Sequence, residues 1–69
     1  MEYANSAMQN VISEYVHSER DRRIYTLRYI DGLTYEKIAE EVDMSVRQIQ
    51  NLDYKFRQNV LLKHKDKLR

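Results

Sequence analysis

The sequence predicts an all-α fold, and three observations carry that expectation. The 69 residues contain one glycine, Gly32, and no proline. Sheet proteins turn often and use both residues to do it, so this chain is expected to join helices with side-chain caps instead. Apolar residues recur at i, i+3, i+4 and i+7, the spacing of an amphipathic helix. Serine or threonine precedes three of the apolar-periodic segments, where an N-cap belongs. The expected architecture is a small four-helix bundle, three helices plus a long C-terminal one, that contains a helix-turn-helix.

Met8, Val11, Ile12, Tyr15 and Val16 form one stripe and predict a first helix over about residues 4–17. Ser18 stands three residues before Asp21 and caps a second helix over about 19–30. Ile24, Leu27 and Ile30 are its inward candidates, while Tyr25 and Tyr29 can face either way. Gly32 follows where a left-handed residue closes a helix. Thr34 caps a third helix over about 35–42, and Glu36 in its first turn suits the helix dipole. Tyr35, Ile38, Ala39 and Val42 supply its stripe. Ser45 opens the fourth helix, with Gln48 three residues on as a capping-box partner. Val46, Ile49, either Leu52 or Asp53, Phe56 and Val60 continue the pattern. Lys63, Lys65, Lys67 and Arg69 then mark a basic tail over about 63–69, where the helix is expected to fray. The tyrosines, Tyr3, Tyr15, Tyr25, Tyr29, Tyr35 and Tyr54, are expected to add bulk to a small core with their hydroxyls outward.

A chain of this length forms a single domain, residues 1–69. Such a chain buries only about 60% of the surface its unfolded form exposes, so its core needs support. The absence of cysteine excludes disulfides and thiolate metal sites. His17 and His64 lie far apart, and no His, Asp and Glu cluster has ligand spacing. Glu40 and Glu41 are neighbours on a helix and face different directions, so they do not form an acid–base pair. There is no glycine-rich phosphate loop and no nucleophile–base arrangement. The chain is therefore expected to be no enzyme and to need no cofactor or metal. No apolar run approaches the roughly 18–20 residues of a membrane span. The first residues lack the basic and apolar regions of a secretory signal, so the expected location is the cytoplasm, with no membrane partner.

The net charge of +1 hides a segregated pattern. Residues 1–19 carry three acids and no base, and residues 20–31 four bases and two acids. Residues 32–43 carry one base and four acids, and residues 44–69 seven bases and two acids. The basic C-terminal third is either a surface for phosphate or a solvated face with a tail, and charge alone does not separate the two.

Spacing adds more. About two residues separate the third and fourth helices, too few for an antiparallel loop, so the pair must cross steeply as in a helix-turn-helix. A pattern begun at Tyr35 and running to about residue 54 places Ala39 at the small fifth position. Ile38, Val42, Met44, Ile49 and Leu52 fill the apolar fourth, eighth, tenth, fifteenth and eighteenth positions. Asp43 occupies the ninth, commonly glycine, and Asp tolerates left-handed backbone better than most residues. A plain helical hairpin within a bundle is the alternative.

The stretch from Asp21 to Gln50 resembles region 4 of sigma-70-type factors. Leu27-Arg28-Tyr29, Gly32-Leu33-Thr34, Ile38-Ala39 and the Ser45 cap carry the likeness. It is also similar to small phage and prophage transcriptional regulators of the ArpU and RinA type. The resemblance covers about residues 18–60. It implies double-stranded DNA as partner, a bacterial or phage-infected bacterial cell, and a recognition helix starting at Ser45 that enters the major groove.

Carried onto this chain, the DNA-binding residues are Ser45, Val46, Arg47, Gln48, Gln50, Asn51, Tyr54, Lys55 and Arg57. Arg47 can bond guanine O6 and N7, and Gln48, Gln50 and Asn51 can pair with adenine N6 and N7. Arg47 is otherwise a solvated residue, at a place where positive charge opposes the dipole. Gln48 has the capping box as a second task, and Gln50 and Asn51 suit any wet helix face. Val46 stands where the family often has a polar or basic residue, and it packs on a thymine methyl or on the turn. Lys55 and Arg57 are expected at phosphates. Arg22, Arg23 and Arg28 can touch the DNA backbone, though Arg28 is expected to pair with Glu36 or Glu40 instead. The first helix and Val60-Leu61-Leu62 are candidate surfaces for a homodimer. Two alternative functions stand beside transcriptional regulation. One is a protein-interaction module contacting RNA polymerase or another regulator, and the other is the DNA-recognition domain of a phage terminase small subunit.

Overall fold

The computed structural model describes residues 5–64 and Asp66. Tyr3, residue 4 of the expected first helix, and Lys65, Lys67 and Arg69 of the tail lie outside the described residues. The fold is all-α. Its helices are α1 (Asn5–Tyr15), α2 (Glu19–Tyr29), α3 (Tyr35–Val42) and α4 (Val46–Phe56), and a π-helical turn at Arg57–Leu61 continues α4. Among the described residues, no helix is long and apolar enough to cross a membrane.

The expected caps form. Ser18 Oγ accepts from the Asp21 N–H at 3.4 Å, and Thr34 Oγ1 accepts from the Lys37 N–H at 3.2 Å. Each satisfies one of the N–H groups that a helix start leaves without a partner. Gly32 adopts φ 73° in the α2–α3 connection, a backbone that costs glycine nothing. Asp43 adopts φ 55° and ψ 50° at the end of α3, and its N–H bonds the Ala39 carbonyl. The left-handed residue between α3 and α4 is thus Asp43, at the ninth position where the pattern commonly has glycine.

Each helix contributes one face to the core. Met8, Val11 and Ile12 come from α1, with Val16 just beyond it. Ile24 and Tyr25 come from α2, Ile38 and Ala39 from α3, and Ile49 and Phe56 from α4. Ile38 and Ile49 are each 0% exposed. Val42, Met44 and Leu52 pack half-buried against this cluster, so every apolar position of the helix-turn-helix pattern touches the core. Phe56 stacks on Tyr25 with ring centroids 4.0 Å apart and meets Tyr29 at 5.5 Å. Tyr15 stacks on His64 at 3.9 Å, which ties the last described turn to the end of α1.

Several expectations need correction. At the two candidate core positions of α4, Asp53 is buried and Leu52 only half-buried. Leu61, not Val60, is the buried residue after Phe56. The π turn explains this, because its i→i+5 bonds widen the helix and delay the inward position by one residue. Its closing bond runs from the Leu62 N–H to the Arg57 carbonyl at 3.0 Å. Arg22 is used internally. Its Nε donates to the Val16 carbonyl and its Nη2 to the Ser13 carbonyl at 3.0 Å, closing the C-terminal end of α1. Arg23 pairs with Glu41 at 3.3 Å in a solvent-exposed bridge, a type that contributes little. The candidate dimer surfaces are also largely occupied. The α1 stripe and Leu61 face the chain's own core, and of Val60-Leu61-Leu62 only Leu62 is well exposed, at 57%.

Ala39 is buried at the small position where α4 packs over α3. An Ala39→Leu variant is expected to lose about 1–3 kcal/mol or more by overpacking. Thermal melting followed by circular dichroism checks this, and an unchanged midpoint would argue against the tight crossing.

Candidate nucleic-acid interface

The start of α4 is fixed by a complete capping box. Ser45 Oγ accepts from the Gln48 N–H at 3.1 Å, and Gln48 Oε1 accepts from the Ser45 N–H at 3.0 Å. The Ser45 hydroxyl also donates to Gln48 Oε1 at 3.2 Å. Ser45 and Gln48 are therefore engaged with each other at the helix entrance. No acid lies in the first turn of α4, whereas α2 begins with Glu19 and Asp21 and α3 with Glu36. Arg47 thus adds to a positive helix end that no carboxylate in that turn offsets.

The buried side of α4 is Ile49, Asp53 and Phe56. At the helical repeat, Arg47, Asn51 and Tyr54 stand opposite it at i, i+4 and i+7. All three are exposed, Tyr54 at 65%. Gln50 flanks this stripe on one side and Lys55 on the other, both exposed. Among the described residues, Arg47 and Lys55 make no ion pair or side-chain hydrogen bond. Val46 departs from the outward set, since it is half-buried and packs against the core cluster.

What seats this face is a cluster that sequence reading missed. Asp53 is 3% exposed, and no buried side-chain polar atom among the described residues lacks a partner. The hydroxyls of Tyr29, from α2, and Tyr35, from α3, donate to its Oδ1 and Oδ2. Arg57 Nε lies 3.5 Å from Asp53 Oδ2 and donates to the Tyr29 hydroxyl oxygen at 3.2 Å. The Tyr25 hydroxyl donates to the Leu52 carbonyl at 3.2 Å, one residue away along α4. Three of the tyrosine hydroxyls expected to point outward thus bond α4. The only sequence signal was Asp53 itself, an acid at a core position with Arg57 four residues on.

Burial acts on these phenols. It pushes Tyr25 from 10.0 up to about 12, with the charges of Asp21 and Asp53 adding to the shift. Burial, and then the bond to Asp53, raises Tyr29 and Tyr35 as well. All three are therefore held as neutral donors.

Arg28 does not pair with Glu36 or Glu40. Its Nη1 donates to the Leu33 carbonyl at 3.0 Å, and its Cζ sits 4.2 Å from the centroid of the Tyr35 ring. A planar guanidinium can bond a carbonyl and lie over an aromatic face at once, and here it braces the α2–α3 connection against Tyr35. Glu40 is instead 4.0 Å from Lys37. Beside α4, Tyr35, Gln50, Asp53, Tyr54 and Arg57 line a cleft of about 290 Å³. The Arg57 side chain is 54% exposed there.

A family model described as Sigma-70, region 4 matches residues 18–53, from the cap of α2 to the buried aspartate. No curated protein and no solved structure matches the chain.

Two expectations follow from the cluster. Asp53→Ala leaves the Tyr29 and Tyr35 hydroxyls without their acceptor while the half-exposed Arg57 stays solvated, a loss of about 1–3 kcal/mol. For a domain of this size each kcal/mol lowers Tm by roughly 4–8 °C. Asp53→Asn, which keeps one acceptor oxygen, is expected to melt between the two. The pH dependence follows from Tyr25. Its phenol titrates near 10 when unfolded and near about 12 when folded, so the fold favours the neutral form. The stability this contributes is full below pH about 10 and is lost as pH rises through about 12. Melts across that range, with tyrosinate absorbance read in parallel, check the sign.

Proposed function

The chain belongs to the sigma-70 region 4 family, DNA-binding helix-turn-helix domains that also contact RNA polymerase, and from that premise we propose that it is a sequence-reading transcriptional regulator of the phage or prophage type. The observation that carries this reading is the outward face of α4. Arg47, Gln50, Asn51 and Tyr54 project opposite the core, on a helix whose start and seating are both fixed.

Inserted in a major groove, that face puts Arg47 at a guanine and Gln50 and Asn51 at adenines. Lys55 lies on the flank, where a phosphate passes. Ser45 and Gln48 hold the helix entrance. Val46 turns inward where sigma factors often carry a polar reader, which favours a dedicated operator over a sigma-type promoter element. A single module of this kind buries only about 600–1,000 Å² on DNA, so a second copy or a partner on the same duplex supplies the remaining affinity.

A second reading, contact with RNA polymerase or another regulator, has its own support. Glu36, Glu40, Glu41 and Asp43 are all exposed on α3 and its turn. They repel a DNA backbone but complement a basic protein surface.

Selection from a random duplex library at near-physiological salt tests the proposal. The expected result is an enriched motif, palindromic if two copies bind. Arg47→Ala is expected to cost about 1–3 kcal/mol on that motif and to relax one base pair, while Lys55→Ala weakens all duplexes alike and lowers the salt slope by about one. A folded protein that enriches nothing would move the function to the protein-contact reading.

A further inference from the structure

Arg57 is expected at a phosphate on sequence grounds, yet its surroundings differ from those of Lys55. Its Nε is committed to the Tyr29 hydroxyl, and a buried carboxylate lies 3.5 Å away. Lys55 has no such partner among the described residues. A cation already balanced by a buried carboxylate gains less from a phosphate than a free one does.

The cluster also has a geometry that a plain stabilising contact lacks. Tyr29 and Tyr35 approach opposite oxygens of Asp53 from two different helices. Rotation of α4 about its axis would break one of these bonds. Asp53 and Arg57 lie one helical turn apart, and Gln50 and Tyr54 border the same cleft. The rotational setting of α4, and so the direction of its outward stripe, is tied to this carboxylate.

We propose that Asp53, Tyr29, Tyr35 and Arg57 form a positioning device that sets the rotation of the recognition helix, with Arg57 serving the buried carboxylate rather than a DNA phosphate. The inference rests on the DNA-reading function proposed above and deepens it by assigning specificity to residues that touch no base. Displacement by a fraction of an ångström separates a bidentate base contact from a poor one, while phosphate contacts through flexible side chains tolerate it.

The test compares Tyr29→Phe, Tyr35→Phe, their double variant and Arg57→Gln with the natural chain and with Lys55→Gln. Each phenylalanine keeps the ring and removes one hydroxyl. Affinity is measured for the selected duplex and for a random duplex across a salt series, at a temperature where circular dichroism shows each variant folded. The double variant is expected to lower the ratio of selected to random affinity about tenfold, with random-duplex binding and salt slope unchanged. Arg57→Gln is expected to lower the ratio in the same way and leave the slope unchanged. Lys55→Gln is expected to lower the slope by about one and spare the ratio.

A purely structural role would reduce the active fraction and weaken both duplexes equally, leaving the ratio intact, and that result overturns the proposal. A slope lowered by about one in Arg57→Gln overturns the assignment of Arg57. A natural chain that binds all duplexes alike overturns this inference together with the function it rests on. One that discriminates while the double variant does so equally overturns this inference alone.

Discussion

A carboxylate removed from water must be given donors, and in this domain that requirement organises the fold. Asp53 sits on the buried side of α4, and its donors come from α2, α3 and the turn after α4. An apolar residue in its place would accept many arrangements of the surrounding helices. A carboxylate accepts only those that satisfy both oxygens. The chain has no disulfide to restrict its alternatives, and its core is small. Direction therefore has to come from hydrogen bonds as much as from packing. Burial raises all three tyrosines, and at Tyr29 and Tyr35 the bond to Asp53 adds to the shift, since neutral phenols can donate to the carboxylate whereas phenolates would repel it.

That constraint bears directly on the exposed face. A helix can be placed against a core by its apolar stripe, but a stripe is broad and permits rolling by a fraction of a turn. On α4 the stripe supplies position and Asp53 supplies rotation. The capping box supplies the third coordinate, the point where the helix begins. Arg47, Asn51 and Tyr54 thus project from a helix that is fixed in three independent ways.

Much of this was legible in the sequence, because it is local. Helix periodicity, three serine or threonine caps, the left-handed Asp43 and the small Ala39 each depend on residues a few positions apart. So did the family resemblance, which rests on the same short-range spacings. The parts that were not legible depend on partners far along the chain. Nothing near Asp53 indicates that Tyr29 and Tyr35 will reach it across separations of 24 and 18 residues. Without them, Leu52 is the better guess for a core position. The arginines failed for a related reason. Charge counting assigns Arg22 and Arg28 to phosphates or carboxylates, yet both bond backbone carbonyls, which carry no formal charge and leave no trace in composition. The π turn was hidden because Val60 fits an ordinary helix equally well until packing selects Leu61.

The arrangement of Arg22 carries a consequence for how the domain assembles. α1 has no acid in its first turn and no base in its last. The Ser13 carbonyl in its last turn and the Val16 carbonyl just beyond it accept instead from Arg22, a side chain held in place by α2. The two helices are therefore cooperative, and amide protons at the end of α1 should exchange with solvent in step with those of early α2. The family model matches from Ser18 onward, so α1 lies outside the match, yet it supplies Met8, Val11 and Ile12 to the core and has its end closed by Arg22 from within the match.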